Sequence, residues 1–244
     1  MPEQLPFTAL LNRFFGGTVD SLLNALRISP ANPHAPISNF VAMEILVSVV
    51  LILCFLVVRT RLSVEHPGGI QHIAEGVRNF ILGQSKEIIG HGSERFIAFL
   101  ASLALFILFC NLLGLVPGFE SPTATPEVPL GCAIVAFIYY NYEGVRNHGP
   151  LKYMKHFAGP MWWLAPLMVP IEIISHLARM LSLTVRLFAN MFAGDMVTLV
   201  FFSLVPIGVP VLFLGLHIGV SLLQTYIFVL LTMVYLAGAV AEEH

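Results

Sequence analysis

Long apolar runs alternate with short polar breaks along this chain, and the run lengths set the first expectation. About 18 consecutive apolar residues, at 1.5 Å each in a helix, are enough to cross the hydrocarbon core of a bilayer. Residues 40–58 form one such run, 96–116 a second, and 128–142 a shorter third. From 164 to 205 the pattern stays helical, with Pro166 and Pro170 near its start, one glycine, Gly194, and no further proline until Pro206. A last run covers 211–240, after a tight turn at 207–210. These two helices would be roughly 60 and 45 Å long, well beyond the roughly 30 Å core, so they must tilt or bend. Two adjacent, overlong, antiparallel helices are odd for a simple bundle, and they are expected to follow the outline of another object within the membrane.

The polar segments complete the outline. Leu11, Phe14, Phe15, Leu22 and Leu26 recur at helical spacing among Asn12, Arg13, Asp20 and Asn24. That pattern predicts a short helix on the membrane surface, broken by Pro30, Pro33 and Pro36. Residues 70–89 repeat it between the first two runs. The expected fold class is an all-α polytopic membrane protein with about five spanning helices and an N-terminal surface helix. Residues 1–36 form an amphipathic segment and linker, and 37–244 a single membrane domain. Residues 1–15 lack the basic start and unbroken apolar run of a secretory signal, so the mature chain is expected to start at or near Met1.

Charge gives the orientation. Arg59, Arg61, Arg78, Lys86 and Arg95 follow the first run, Arg146, Lys152 and Lys155 follow the third, and 118–127 carries no Lys or Arg. By the positive-inside rule the N-terminus is expected outside and the C-terminus in the cytoplasm. With 57% hydrophobic and 11% charged residues, a solvated globular surface is excluded. A net charge of -2 with scattered basic residues argues against nucleic acid as a partner. Cys54, Cys110 and Cys132 lie in apolar runs without metal or redox spacing, so no metal or cofactor is expected.

Against this background a few polar residues stand out. In MLSLTVRLFANMFAGDMVTLVFF (180–202) the only ionisable residues are Arg186 and Asp195. A charged arginine near the bilayer centre costs several kcal/mol by most estimates, so it either snorkels, closes a structural ion pair, or is used. On a helical wheel Glu172, His176, Arg179 and Asn190 fall within about 80° of Arg186, whereas Asp195 falls on the opposite face. Counted back from the turn, His217 lies at the depth of Asp195, and Gln224 nearer that of Arg186. Arg179 could pair with Ser175 or Glu172, His176 could be a core histidine, and Glu44 and Glu143 sit near the ends of spans. The pattern matches two offset aqueous paths separated by a charge that never loses its proton.

The runs LSLTVRLFANMFAGD, LLQTYIFVLLTMVYL and NLLGLVP resemble subunit a of the F-type ATP synthase, over most of the chain after Phe40. The resemblance implies a non-catalytic stator subunit, with ATP made elsewhere in the complex. Arg186 would face the carboxylates of a rotating c-ring, with peripheral-stalk b subunits as further partners. Asn190, Asp195, His217 and Gln224 match the family's channel positions, Asp195 standing where many relatives carry Glu. Glu172 fits a recurrent acidic position, His176 varies among relatives, and Arg179, Ser175 and Asn111 are left as structural or uncertain. The implied location is a bacterial inner membrane. A proton-coupled secondary transporter is the alternative, although no internal repeat supports it.

Overall fold

A computed structural model describes residues 5–25, 36–60, 62–63, 68–90, 92–116, 119–149, 165–204 and 208–241. All regular structure among the described residues is helical. The α-helices are α1 (Pro6–Ala25), α2 (Asn39–Thr60), α3 (Gly69–Ile88), α4 (Ile97–Leu113), α5 (Glu127–His148), α6 (Ala165–Leu204) and α7 (Val209–Val240). The chain is thus an all-α, multi-pass membrane protein: α2, α4, α6 and α7 are long and apolar enough to cross a bilayer. Helix α5 equals α2 in length, at 22 residues. It also carries Glu127, Glu143 and Arg146, and it runs beyond the predicted 128–142 because polar Asn141, Glu143 and Arg146 end the apolar run without breaking the helix.

The two long helices match their predicted extents closely. Helix α6 has 40 residues and keeps Pro170 inside it, near the start, where a missing N–H disturbs only one early turn. Helix α7 has 32 residues and follows Gly208, whose φ of 92° is a left-handed value that favours glycine. Leu26, Pro30, Pro33, Arg61, His66, His91, Lys152, Lys155, His156, Leu164, Pro206 and Ile207 all lie outside the described residues.

Helix α7 is the centre of the bundle, in contact with α3, α4, α5 and α6. One apolar cluster joins Leu103 and Ile107 of α4, Ala133 and Ala136 of α5, Leu187 of α6 and Phe228 of α7. A second joins Ile81 of α3, Leu100 of α4, Tyr140 of α5, and Val229, Met233 and Leu236 of α7. The start of α4 therefore meets the end of α7, as successive antiparallel crossings require. At the opposite side Asn39, opening α2, donates to Glu120 in the loop between α4 and α5.

Helix α6 lies at the rim. Only 11% of its apolar window is buried, against 44% for α7, so the described residues leave most of its surface uncovered.

A buried polar knot fastens α4 to α7. Thr123 donates to Asn111 Oδ1 at 2.7 Å, and Asn111 Nδ2 donates to Thr225 Oγ1 at 3.3 Å and Ser221 O at 3.4 Å. Ser121 bonds Thr123 at 3.0 Å and donates to the Cys110 carbonyl at 3.1 Å. Gly114 lets that loop approach, since a Cβ there would lie 2.8 Å from Ser121 Cβ. Asn111→Leu should remove the bonds from Asn111 to Thr123, Thr225 and the Ser221 carbonyl, leaving Thr123 with Ser121 and Thr225 with the Ser221 carbonyl, and lower stability by ~1 kcal/mol or more, read as a lower melting temperature of the detergent-solubilised complex. An unchanged melting temperature would show that the knot holds nothing together.

Candidate functional site

Helix α6 buries one narrow stripe, Leu183, Leu187 and Met191, against the rest of the bundle. At 100° per residue, Arg186 and Asp195 sit on opposite flanks of that stripe, about 180° apart. A seam of packed apolar side chains therefore separates them.

On the first flank, Glu172 Oε1 lies 3.3 Å from His176 Nε2. The other ring nitrogen, Nδ1, bonds the hydroxyl of Tyr140 on α5 at 2.8 Å. His176 and Tyr140 are both buried. Arg179 takes neither of the partners expected for it among the described residues; its guanidinium lies 5.4 Å above the ring of Tyr235, at cation–π distance. Ser175 is half-buried, with no side-chain hydrogen bond among the described residues. Glu143 is buried, 3.7 Å from Arg146.

Arg186 itself is half-buried. Its one side-chain bond among the described residues is a donation to Ser182 Oγ at 3.4 Å, and it makes no ion pair there. A guanidinium has five N–H donors, so its hydrogen-bonding capacity is almost entirely unspent among the described residues.

The other flank is built with α7. Asp195 Oδ1 lies 3.7 Å from Nε2 of His217, which is only 4% exposed. Gly194 makes that approach possible, because a Cβ on it would stand 2.8 Å from His217 Nδ1. Beside them is a cleft of about 240 Å³ lined by Asn190, Gly194, Thr198 and His217. One turn further along, Asn190 donates to Gln224 Oε1 at 2.8 Å, and the Gln224 side chain is buried. The pairings 195 with 217 and 190 with 224 run in opposite senses, as the depth count from the turn predicts for antiparallel helices.

The structure thus joins Glu172 to His176, Asp195 to His217 and Asn190 to Gln224, and leaves Arg186 between them unpaired with any carboxylate among the described residues. Asn111 is in the α4–α7 knot. Sequence reasoning missed Tyr140, one aromatic residue in an apolar run, and the hydroxyls of Ser121, Thr123 and Thr225. Small polar residues repeated through otherwise apolar runs were the available signal for the latter.

A family model described as ATP synthase A chain matches residues 41–237. The chain belongs to that ATP synthase A chain family. Among relatives, an ATP synthase subunit a from Koribacter versatilis is 57% identical over 244 residues, the whole of both chains. Another subunit a, from Solibacter usitatus, is 52% identical over 236 residues, 96% of this chain and 100% of the relative. One from Helicobacter hepaticus is 42% identical over 203 residues, 82% of this chain and 89% of the relative. The family match takes in both flanks of α6 and their α7 partners, while α1 lies outside it.

Proposed function

We propose that this subunit of the ATP synthase stator conducts protons between two offset half-channels and the carboxylates of a rotating c-ring. The observation that carries this reading is the placing of Arg186 and Asp195 on opposite flanks of the buried Leu183, Leu187 and Met191 stripe. In the synthesis direction a proton enters from outside by the cleft at Asp195 and His217, passes Asn190 and Gln224, and neutralises a rotor carboxylate. After nearly a full turn of the ring it leaves past Glu172 and His176. Carboxylates and imidazoles can pass protons, whereas the guanidinium holds its own. The sparsely covered outer face of α6 and the unspent donors of Arg186 support a ring carrying carboxylates as the missing neighbour.

Orientation follows the basic residues. Arg59, Arg95 and Arg146 fall at the ends of α2, α4 and α5 that share one side of the bundle, which is assigned to the cytoplasm of a bacterial cell. The N-terminus is then outside and the C-terminus inside, with b subunits of the peripheral stalk as additional partners. The seam has an energetic reason. One charge moving across 100 mV releases about 2.3 kcal/mol, which a direct leak would dissipate.

Asp195→Ala and His217→Ala should each slow proton-driven ATP synthesis in membrane vesicles without abolishing it, because the cleft still admits water. Unchanged synthesis in both variants would remove the outer path from the reading. A secondary transporter would instead show solute uptake by the purified chain alone in liposomes, and none is expected.

A further inference from the structure

We propose that Tyr140 is a positioning residue of the cytoplasm-side path, holding the His176 imidazole with Nε2 turned to Glu172. This rests on the reading that Glu172 and His176 carry protons out of the membrane. Tyr140 is on α5, a helix that contributes no other side chain to either proposed path.

The two contacts of the ring fit one tautomer. An ionised Glu172 can only accept, so the 3.3 Å contact suits the tautomer with its proton on Nε2. In the neutral ring Nδ1 is then an acceptor, and Tyr140 donates to it at 2.8 Å. When the ring takes up a second proton, Nδ1 becomes a donor. A phenolic hydroxyl can turn and accept from it, because it has both a hydrogen and lone pairs. The same bond therefore survives both protonation states, and the ring need not swing away from Glu172 as its charge changes. A carbonyl at this position would serve only the charged ring or the other tautomer.

Packing holds the tyrosine in place. Its ring is 3% exposed, 5.8 Å from the His176 ring, edge-on to Phe137 at 5.4 Å and 6.0 Å from Tyr235. Tyr235 in turn lies beneath the Arg179 guanidinium. These ring contacts do not need the hydroxyl, so Tyr140→Phe removes the hydrogen bond while keeping the packing.

The test is ATP-driven proton pumping by the intact complex in inside-out vesicles, followed with a pH-sensitive dye. Tyr140→Phe should slow pumping roughly three- to tenfold, the loss of one buried hydrogen bond to an imidazole. Because the hydroxyl acts through the ring, Tyr140→Phe should add nothing further in a His176→Ala background. In ¹⁵N-histidine-labelled complex, the Nδ1 signal that His176→Gln deletes should shift in Tyr140→Phe, which a packing role alone would not cause. Wild-type pumping in Tyr140→Phe, or a loss that multiplies with that of His176→Ala, would overturn the assignment while leaving the path intact. If Glu172→Gln and His176→Ala themselves pump normally, the cytoplasm-side path falls, and the role of Tyr140 falls with it.

Discussion

Arg186→Ala is expected to abolish proton-driven ATP synthesis in membrane vesicles while the complex still assembles. Assembly should survive because the side chain holds little of this chain together: one 3.4 Å bond to Ser182 and no ion pair among the described residues. Removing it also relieves the cost of keeping a charge among apolar neighbours. Function should not survive, because the fixed charge is the proposed barrier between two paths and the partner of each arriving carboxylate. On that proposal, a rotor carboxylate without it has no reason to be ionised between the two exchanges, and protons can pass without turning the ring. Arg186→Lys should fail nearly as badly, since an ammonium is a compact point charge that can give up its proton and lacks the guanidinium fork. Synthesis at the normal rate in assembled Arg186→Ala complex would sink the half-channel reading.

Gly194→Val should be the next most damaging change. The glycine occupies the inward face of α6, where even a Cβ would stand 2.8 Å from His217 Nδ1 and 3.0 Å from Cε1. The imidazole is 4% exposed and already lies against the α6 backbone, so the ring must shift towards the adjoining cleft or the helix must move. Overpacking of this kind costs about 1–3 kcal/mol. The functional loss should be larger than that cost implies, roughly tenfold or more in synthesis rate, because the Asp195–His217 pair and the adjoining cleft are displaced together. In a His217→Ala background the valine meets no ring, and the further loss should shrink to less than about twofold. A full loss in that background would mean that Gly194 serves the helix itself rather than the histidine.

Much of the fold was legible because bilayers impose it. A helix that satisfies its own backbone inside hydrocarbon must be about 20 residues long and apolar, so run lengths alone located α2, α4, α6 and α7 to within a few residues. The third run was placed but cut short, because hydropathy ends at Tyr142 whereas the helix continues through Glu143 to His148. The polar stripe was legible only in part: 100° per residue is a property of one helix, but Asn190, placed on the Arg186 side, pairs with Gln224 beside the cleft of the other flank. The pairing of Asp195 with His217 was legible, since it needs only the position of the turn and a constant rise per residue.

The partners across helices were not legible. Expecting Glu172 or Ser175 beside Arg179 came from spacing along α6; in the structure Glu172 faces His176, and Arg179 lies over Tyr235 of α7. Nothing local marks Tyr140 as different from Tyr139 or Tyr142, because its role depends on which face of α5 meets α6. The Asn111, Thr123 and Thr225 knot likewise joins residues far apart in the chain.

The sequence by itself determined that this is a membrane protein, where its long helices run, and that Arg186 and Asp195 face away from each other. Those properties follow from hydropathy and the period of a single helix. Only the tertiary structure decided that a buried Leu183, Leu187 and Met191 seam divides them, that Gly194 admits His217, and that Tyr140 meets His176. Those depend on how helices rotate and press against one another, and no single segment encodes that.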